Sequence, residues 1–161
     1  MRIEIRRATS NDAVRATEIA RIAKAHWGYP SEWLAAWEEE LTIRDSDIER
    51  HATFVACLDG EIVGVCQLQR SDRHVFLEHV WVDPRAHRQG VGRALVKHAQ
   101  EESRGVIAIV ADPNAEPFYL RLGARRVGEV AGPMPGAPDR TLPLMELDGL
   151  NEMPASPPDG S

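Results

Sequence analysis

The stretch Val80-Trp81-Val82-Asp83-Pro84-Arg85-Ala86-His87-Arg88-Gln89-Gly90-Val91-Gly92-Arg93 holds the residues best suited to chemistry. A strand runs into a turn, and the turn opens a helix. Gly90 and Gly92 let the backbone lie close to a bound group. The helix start turns free N–H groups and the positive end of its dipole into the turn. With Arg85, Arg88 and Arg93 nearby, this is a ready site for phosphate or pyrophosphate. Gly-x-Gly alone also fits a bare strand–helix turn with no ligand. A nucleoside triphosphate loop needs Lys and Ser or Thr, which are absent here. A dinucleotide fingerprint needs glycine where Leu95 stands. On the same strand, Glu78 lies two residues before Val80, so simple alternation puts its side chain on the face of Val80 and Val82. A carboxylate within Leu77-Glu78-His79-Val80 is poorly explained by packing. His79 falls on the opposite face and reads as a structural histidine.

The elements that must position these groups follow from periodicity and punctuation. Alternating Ile3 and Ile5 predict a strand over 2–7. Thr9 to Asp12 offer helix caps, and Ile19, Ile22, Ala23 and His26 predict a helix ending near His26, before Gly28 and Pro30. A second helix is expected over 31–41, with Trp33, Leu34 and Trp37 on one side, and then an irregular segment with a helical turn around 45–50. Strands over 54–58 and 62–69 flank the hairpin turn Asp59-Gly60, which sets Leu58 opposite Glu61 and Cys57 opposite Ile62. A strand over 75–82 precedes the Gly-rich turn. Val91, Ala94, Leu95 and His98 give the following helix its stripe, ended by Gly105. Val106 to Val110 read as a buried strand parallel to its neighbour. A short helix over 115–122 and strands over 125–130 and 142–147 complete the pattern, with a Gly/Pro-rich loop at 132–138. Residues 1–150 are expected to form one domain, and the Pro-rich tail 151–161 to be disordered.

Composition narrows the class. The chain has 161 residues, 43% apolar and 27% charged, enough for one core without a metal or disulfide staple. No apolar run approaches the ~18 residues of a membrane span, and the first residues lack the apolar core of a signal peptide, so a cytoplasmic protein with no membrane partner is expected. A net charge of −6 disfavours a nucleic-acid partner and leans towards cationic small molecules. Cys57 and Cys66 are not cross-strand neighbours in the expected register and read as small buried hydrophobes. No spacing of His and Cys suggests a metal site.

Element order and two motifs resemble the GNAT superfamily of acyl-CoA-dependent N-acyltransferases. The pyrophosphate motif Arg/Gln-x-x-Gly-x-Gly/Ala falls on His87-Arg88-Gln89-Gly90-Val91-Gly92, with His87 in place of Arg or Gln. The Asn-x-x-Ala-x-x-Phe-Tyr…Leu-Gly motif falls on Asp112 to Gly123: Ala115, Phe118, Tyr119 and Gly123 align, and Asp112 stands at the usual Asn, with Asn114 two residues on. The resemblance implies an α+β (α/β) fold: a mixed, mostly antiparallel twisted sheet of about seven strands with about four helices, splayed between the fourth and fifth strands. It implies acetyl-CoA as co-substrate, held by the backbone of Val80, Trp81 and Val82, by the turn from His87 through Gln89 to Arg93, and by Asp112 or Asn114. It implies direct attack by an amine, with an N–H of the splayed strand polarising the thioester carbonyl. Tyr119 would protonate the leaving thiolate. Glu78 looks like the strand glutamate that some members use to hold or deprotonate the amine. A homodimer is a further implication.

The acceptor wall would come from the first two helices and the last hairpin. Trp27 and Tyr29, at the break between helices, are the candidate substrate contacts. Trp33 and Trp37, four apart, read first as core packing. The leading expectation is an N-acetyltransferase for the primary amine of a small molecule. A peptide or protein N-acetyltransferase would need an open groove. A non-catalytic acyl-CoA-binding module is the reading from another class, supported by the departures at His87 and Asp112.

Overall fold

The computed structural model describes residues 2–151, which lie around a seven-stranded sheet. The expected tail, apart from Asn151, lies outside the described residues. The strands are β1 (Ile3–Arg7), β2 (Ala52–Leu58), β3 (Glu61–Arg70), β4 (Val75–Val82), β5 (Val106–Val110), β6 (Arg125–Ala131) and β7 (Thr141–Asp148), in the spatial order β1-β2-β3-β4-β5-β7-β6. All neighbours pair antiparallel except β4 and β5, which are parallel. The Asp59-Gly60 hairpin has the expected register, with Leu58 opposite Glu61 and Cys57 opposite Ile62. Cys66 faces Phe54 instead, and both cysteines are buried free thiols on opposite sides of the sheet.

Six α-helices cover the two faces of the sheet among the described residues: α1 (Ala13–His26), α2 (Ser31–Ala36), α3 (Glu38–Leu41), α4 (Asp45–Arg50), α5 (Val91–Glu101) and α6 (Glu116–Arg121). The expected helix over 31–41 is broken into two at Trp37, whose φ of −90° and ψ of 0° lie at the edge of the helical region and whose ring is buried in the core. The turn at 45–50 is a full short helix. None of the helices is long and apolar enough to cross a membrane.

Two apolar cores flank the sheet. One joins α5 and α6 to Phe54, Cys66, Leu68, Ile107, Ile109 and Met145. A methyl group on Gly64 would come within 2.9 Å of Leu95 and Val91, so this glycine sets how closely α5 lies on β3. The other core joins α1 and the segment 37–48 to Val55, Cys57 and Val65. Here the stripe expected on α1 is corrected: Ile22 is 41% exposed, whereas Ala13, Ala16, Thr17, Ile19 and Ala20 are buried. The small residues let the helix lie close to the sheet, and one turn beyond Ala20 this face carries Lys24 inward.

β4 and β5 pair only at Val75 with Ile107 and Phe76 with Ala108. Beyond these two pairs the strands part, which leaves a V-shaped opening with the later part of β4 as one bare edge. The expected splay is therefore present.

Candidate active site

β4 carries one residue more than β3 across their pairing. Gln67 faces His79, but Leu68 faces Leu77, so Glu78 is the inserted residue of a β-bulge. This overturns the expectation that Glu78 shares a face with Val80 and Val82. The bulge resets the alternation: Leu77, Val80 and Val82 pack with the α5 core, while Trp81 packs with the α1 core. Glu78 shares a cavity wall with Glu39 and Glu40 of α3 and Asp47 of α4, which puts its carboxylate towards the α1 side of the sheet. The residue is exposed on the cavity wall, and partial desolvation there, helped by Glu40 and opposed by His51, moves its carboxyl above the ordinary range.

His79 accepts a hydrogen bond at Nδ1 from Trp81 Nε1 at 2.9 Å. Burial lowers its pKa to about 4, which keeps the ring neutral at physiological pH. Both facts agree with a structural histidine.

At the end of β4, Asp83 accepts the backbone N–H of Arg85 at 3.0 Å and caps a 3₁₀ turn over Pro84–Ala86. Its carboxylate also takes the guanidinium groups of Arg85 and Arg15. The Arg85 bond leads in lowering the Asp83 pKa to about 2, against the opposing effect of burial. The Arg85 charge expected at the anion site is thus engaged by Asp83. Arg88 adopts φ +64°, Gly90 adopts φ +81°, and α5 starts at Val91. An arginine in the left-handed region costs roughly 1–2 kcal/mol, so the turn is held in a tight shape by its surroundings. The His87 ring packs edge-on to His26 of α1, with centroids 5.1 Å apart.

Asp112 follows β5 on the other side of the V. It receives Lys24 Nζ at 2.6 Å, Tyr29 OH at 2.9 Å and the Asn114 N–H at 2.8 Å. Burial works to raise its pKa, but Lys24, Asn114 and Tyr29 together outweigh it and keep the group ionised. Asn114 Nδ2 donates to the same Tyr29 hydroxyl at 2.9 Å, and Arg140 Nη2 approaches it at 3.4 Å. Tyr29 is thus the hub of a polar cluster, and its ring packs on Trp33 and Trp37 at 5.6 and 4.9 Å. Trp33 in turn donates Nε1 to Pro135 O at 2.8 Å, which ties α2 to the last loop.

One cavity of about 910 Å³ passes through the V. Its wall carries Glu78, Tyr119, Trp27, Asp112, the backbone run Val80 to Val82, and His87, Arg88 and the residues Gly90 to Arg93. Gln89, Asn114 and Tyr29 do not line it. Tyr119 is 6% exposed, and burial raises its pKa, so the phenol keeps its proton. Two wall residues escaped the sequence reading. Lys24 lies 4.1 Å above the Trp37 ring, and Arg140 lies 5.4 Å from the rings of Trp33 and Trp37. The signal for Lys24 was the small-residue face of α1, and Arg140 carried none.

The arrangement offers a bare strand edge, the left-handed turn at Gly90 that opens α5, a neutral phenol and a carboxylate of raised pKa around one space. The model of the Acetyltransferase (GNAT) family matches residues 19–124. No curated protein matches the chain. Among solved structures, the PaiA N-acetyltransferase from Thermoplasma acidophilum in complex with coenzyme A superposes with a TM-score of 0.71 at 18% identity, covering 92% of this chain and 99% of that one. The ribosomal-protein-S18-alanine N-acetyltransferase from Escherichia coli gives 0.68 at 19% identity, covering 96% and 97%. The apo form of YjaB from Escherichia coli gives 0.66 at 24% identity, covering 94% and 100%. At these identities the likeness is one of fold.

Proposed function

This chain belongs to the acetyltransferase (GNAT) family, and from that membership we propose that it moves the acetyl group of acetyl-CoA onto the primary amine of a small molecule. The observation that carries the reading is the bare edge of β4 beyond Phe76, which meets the Gly90 turn and Tyr119 in one cavity. The fit to the co-substrate is good. An extended pantetheine arm is the length of strand that this edge lacks. The turn at Gly90 and the first N–H groups of α5 suit a pyrophosphate, with Arg88 and Arg93 on the same wall.

The residues then divide the work. Glu78 takes a proton from the acceptor ammonium, directly or through one water, and its raised pKa makes it a better base than an ordinary carboxylate. The amine nitrogen bonds to the thioester carbonyl carbon while the carbon–sulfur bond breaks. An N–H of β4 near Val80 stabilises the charge on the carbonyl oxygen. Tyr119 hands its phenolic proton to the departing thiolate and regains one from solvent. The position of Glu78 on the α1 side, where Trp27 also lines the cavity, supports an amine arriving from that side.

The bond from Trp33 to Pro135 crosses that side and favours a small acceptor over a peptide lying in a groove. Residues 1–150 are read as a single acetyltransferase domain.

The test begins with thermal unfolding. Acetyl-CoA at ~100 times its Kd should stabilise by about 2.7 kcal/mol, a Tm rise of roughly 5 to 10 °C, with NAD giving none. CoA release that needs both acetyl-CoA and an amine then establishes transfer. A Tm rise with no turnover on any amine makes the protein an acyl-CoA-binding module instead.

A further inference from the structure

The α1 side of the cavity contains an arginine that no carboxylate among the described residues pairs with. Arg140 is half-buried and lines the cavity. Its hydrogen bonds go to two neutral oxygens, Gly132 O at 3.1 Å and the Tyr29 hydroxyl at 3.4 Å. None of the ion pairs among the described residues includes it. The nearby carboxylate, Asp112, is already spent on Lys24 and Tyr29. The trio Lys24, Arg140 and Asp112 on the cavity wall therefore carries one net positive charge, in a protein whose total is −6.

The guanidinium is also held in place. It lies 5.4–5.7 Å from the rings of Tyr29, Trp33 and Trp37. Its backbone is fixed by the bonds of Gly132 N–H to Arg140 O at 2.9 Å and of Arg140 N–H to Ala137 O at 3.3 Å, and the loop is pinned by Trp33. A planar fork with unused N–H donors, fixed over aromatic walls and facing a cavity, is built for a two-oxygen anion. Glu78 and Glu40 put negative charge at another part of the same wall. A molecule that satisfies both poles has an amine at one end and an anion at the other.

We propose that Arg140 is the specificity-determining residue of the acceptor site, and that the acceptor is an amino-carboxylate whose carboxylate pairs with its guanidinium. This rests on the reading of the cavity as an acetyl-transfer site. Lys24 keeps Asp112 from competing for Arg140, and the rings exclude water from the pair. The bland alternative is that Arg140 only braces Gly132 and caps the aromatic cluster.

The experiment separates the two readings without needing turnover. Protein saturated with CoA is titrated with N-acetylglycine, N-acetyl-β-alanine and N-acetyl-4-aminobutyrate, and with the methyl ester of each, at constant ionic strength. Binding is read from tryptophan fluorescence, since Trp33 and Trp37 flank Arg140. At least one acid should bind ten or more times more tightly than its ester. Arg140→Gln should abolish that preference, and Arg140→Lys should keep part of it. The proposal is overturned if no acid binds more tightly than its ester, or if the preference survives in Arg140→Gln. Should Arg140→Gln not fold, the wild-type comparison and Arg140→Lys still decide. CoA release with the free amino acids is measured in parallel. Acid preference without turnover would remove the transfer reading and leave the anion site standing.

Discussion

Lys24 and Asp112 meet at 2.6 Å across the mouth of the V, joining the inner face of α1 to the chain just after β5. Both side chains are nearly buried, at 12% and 8% exposure. Tyr29 and Trp33 add parallel ties from the same side. The two halves of the sheet, which share only two paired positions between β4 and β5, are thus held at a fixed separation by side chains as well as by backbone.

Breaking that pair from one end leaves an unpaired charge. Lys24→Met is expected to lower stability by roughly 2–4 kcal/mol, read from the urea midpoint at constant slope. Asp112→Asn should cost a similar amount, and the double variant Lys24→Met/Asp112→Asn should recover much of it, because no charge is then stranded.

Acid should unfold the protein over a defined window. The Asp83 pKa is about 2 in the folded state against an ordinary 3.8, and those of Asp12 and Asp112 are also lowered. A depressed pKa gives stability that is complete above the unfolded value and is lost as pH falls through the folded one. Stability should therefore hold above about pH 5 and fall between about pH 4 and pH 2. Asp83→Asn should lose on the order of 2 kcal/mol at pH 7 and show a shallower fall in acid.

Removing one hydroxyl tests the proton donor. Tyr119→Phe should reduce kcat by about a hundredfold or more while the KM for acetyl-CoA stays within about twofold. Far-UV circular dichroism should be unchanged, since the ring fills the same space in the α5 core. Wild-type kcat in this variant would take Tyr119 out of the chemistry.

The base proposed at Glu78 works only when ionised, so activity should climb as pH rises through its pKa. Because that pKa is raised, the climb should lie above the ordinary carboxylate range. In Glu78→Gln the kcat/KM for the acceptor should drop by about two orders of magnitude and this limb of the pH profile should vanish. A profile of unchanged shape would assign the limb to another group.

Much of this architecture is legible in the residues themselves. Asp59-Gly60 dictates the hairpin register because few residues tolerate its backbone angles, and the pairing of Cys57 with Ile62 follows. Gly90, at φ +81°, marks the turn into α5 for the same reason. Glu78 was misplaced because a bulge has no compositional mark: it exists only in the mismatch between β3 and β4, where Leu68 pairs with Leu77 and Gln67 with His79. Lys24 and Arg140 were missed because their meaning is non-local. Each looks like an ordinary surface cation until Asp112 or Tyr29, distant in sequence, is brought against it.

The split between β4 and β5 also bears on the order of events in a reaction. A sheet normally seals one face from the other, but here the same cavity touches Phe118 and Arg93 on the α5 side and Lys24 and Trp27 on the α1 side. Its wall thus reaches both faces of the sheet. For the proposed reaction, a donor lying on one face and an acceptor on the other need not queue, and neither must depart before the other arrives. The expected kinetics are those of a ternary complex, with intersecting double-reciprocal lines and no residue carrying the acyl group between two visits.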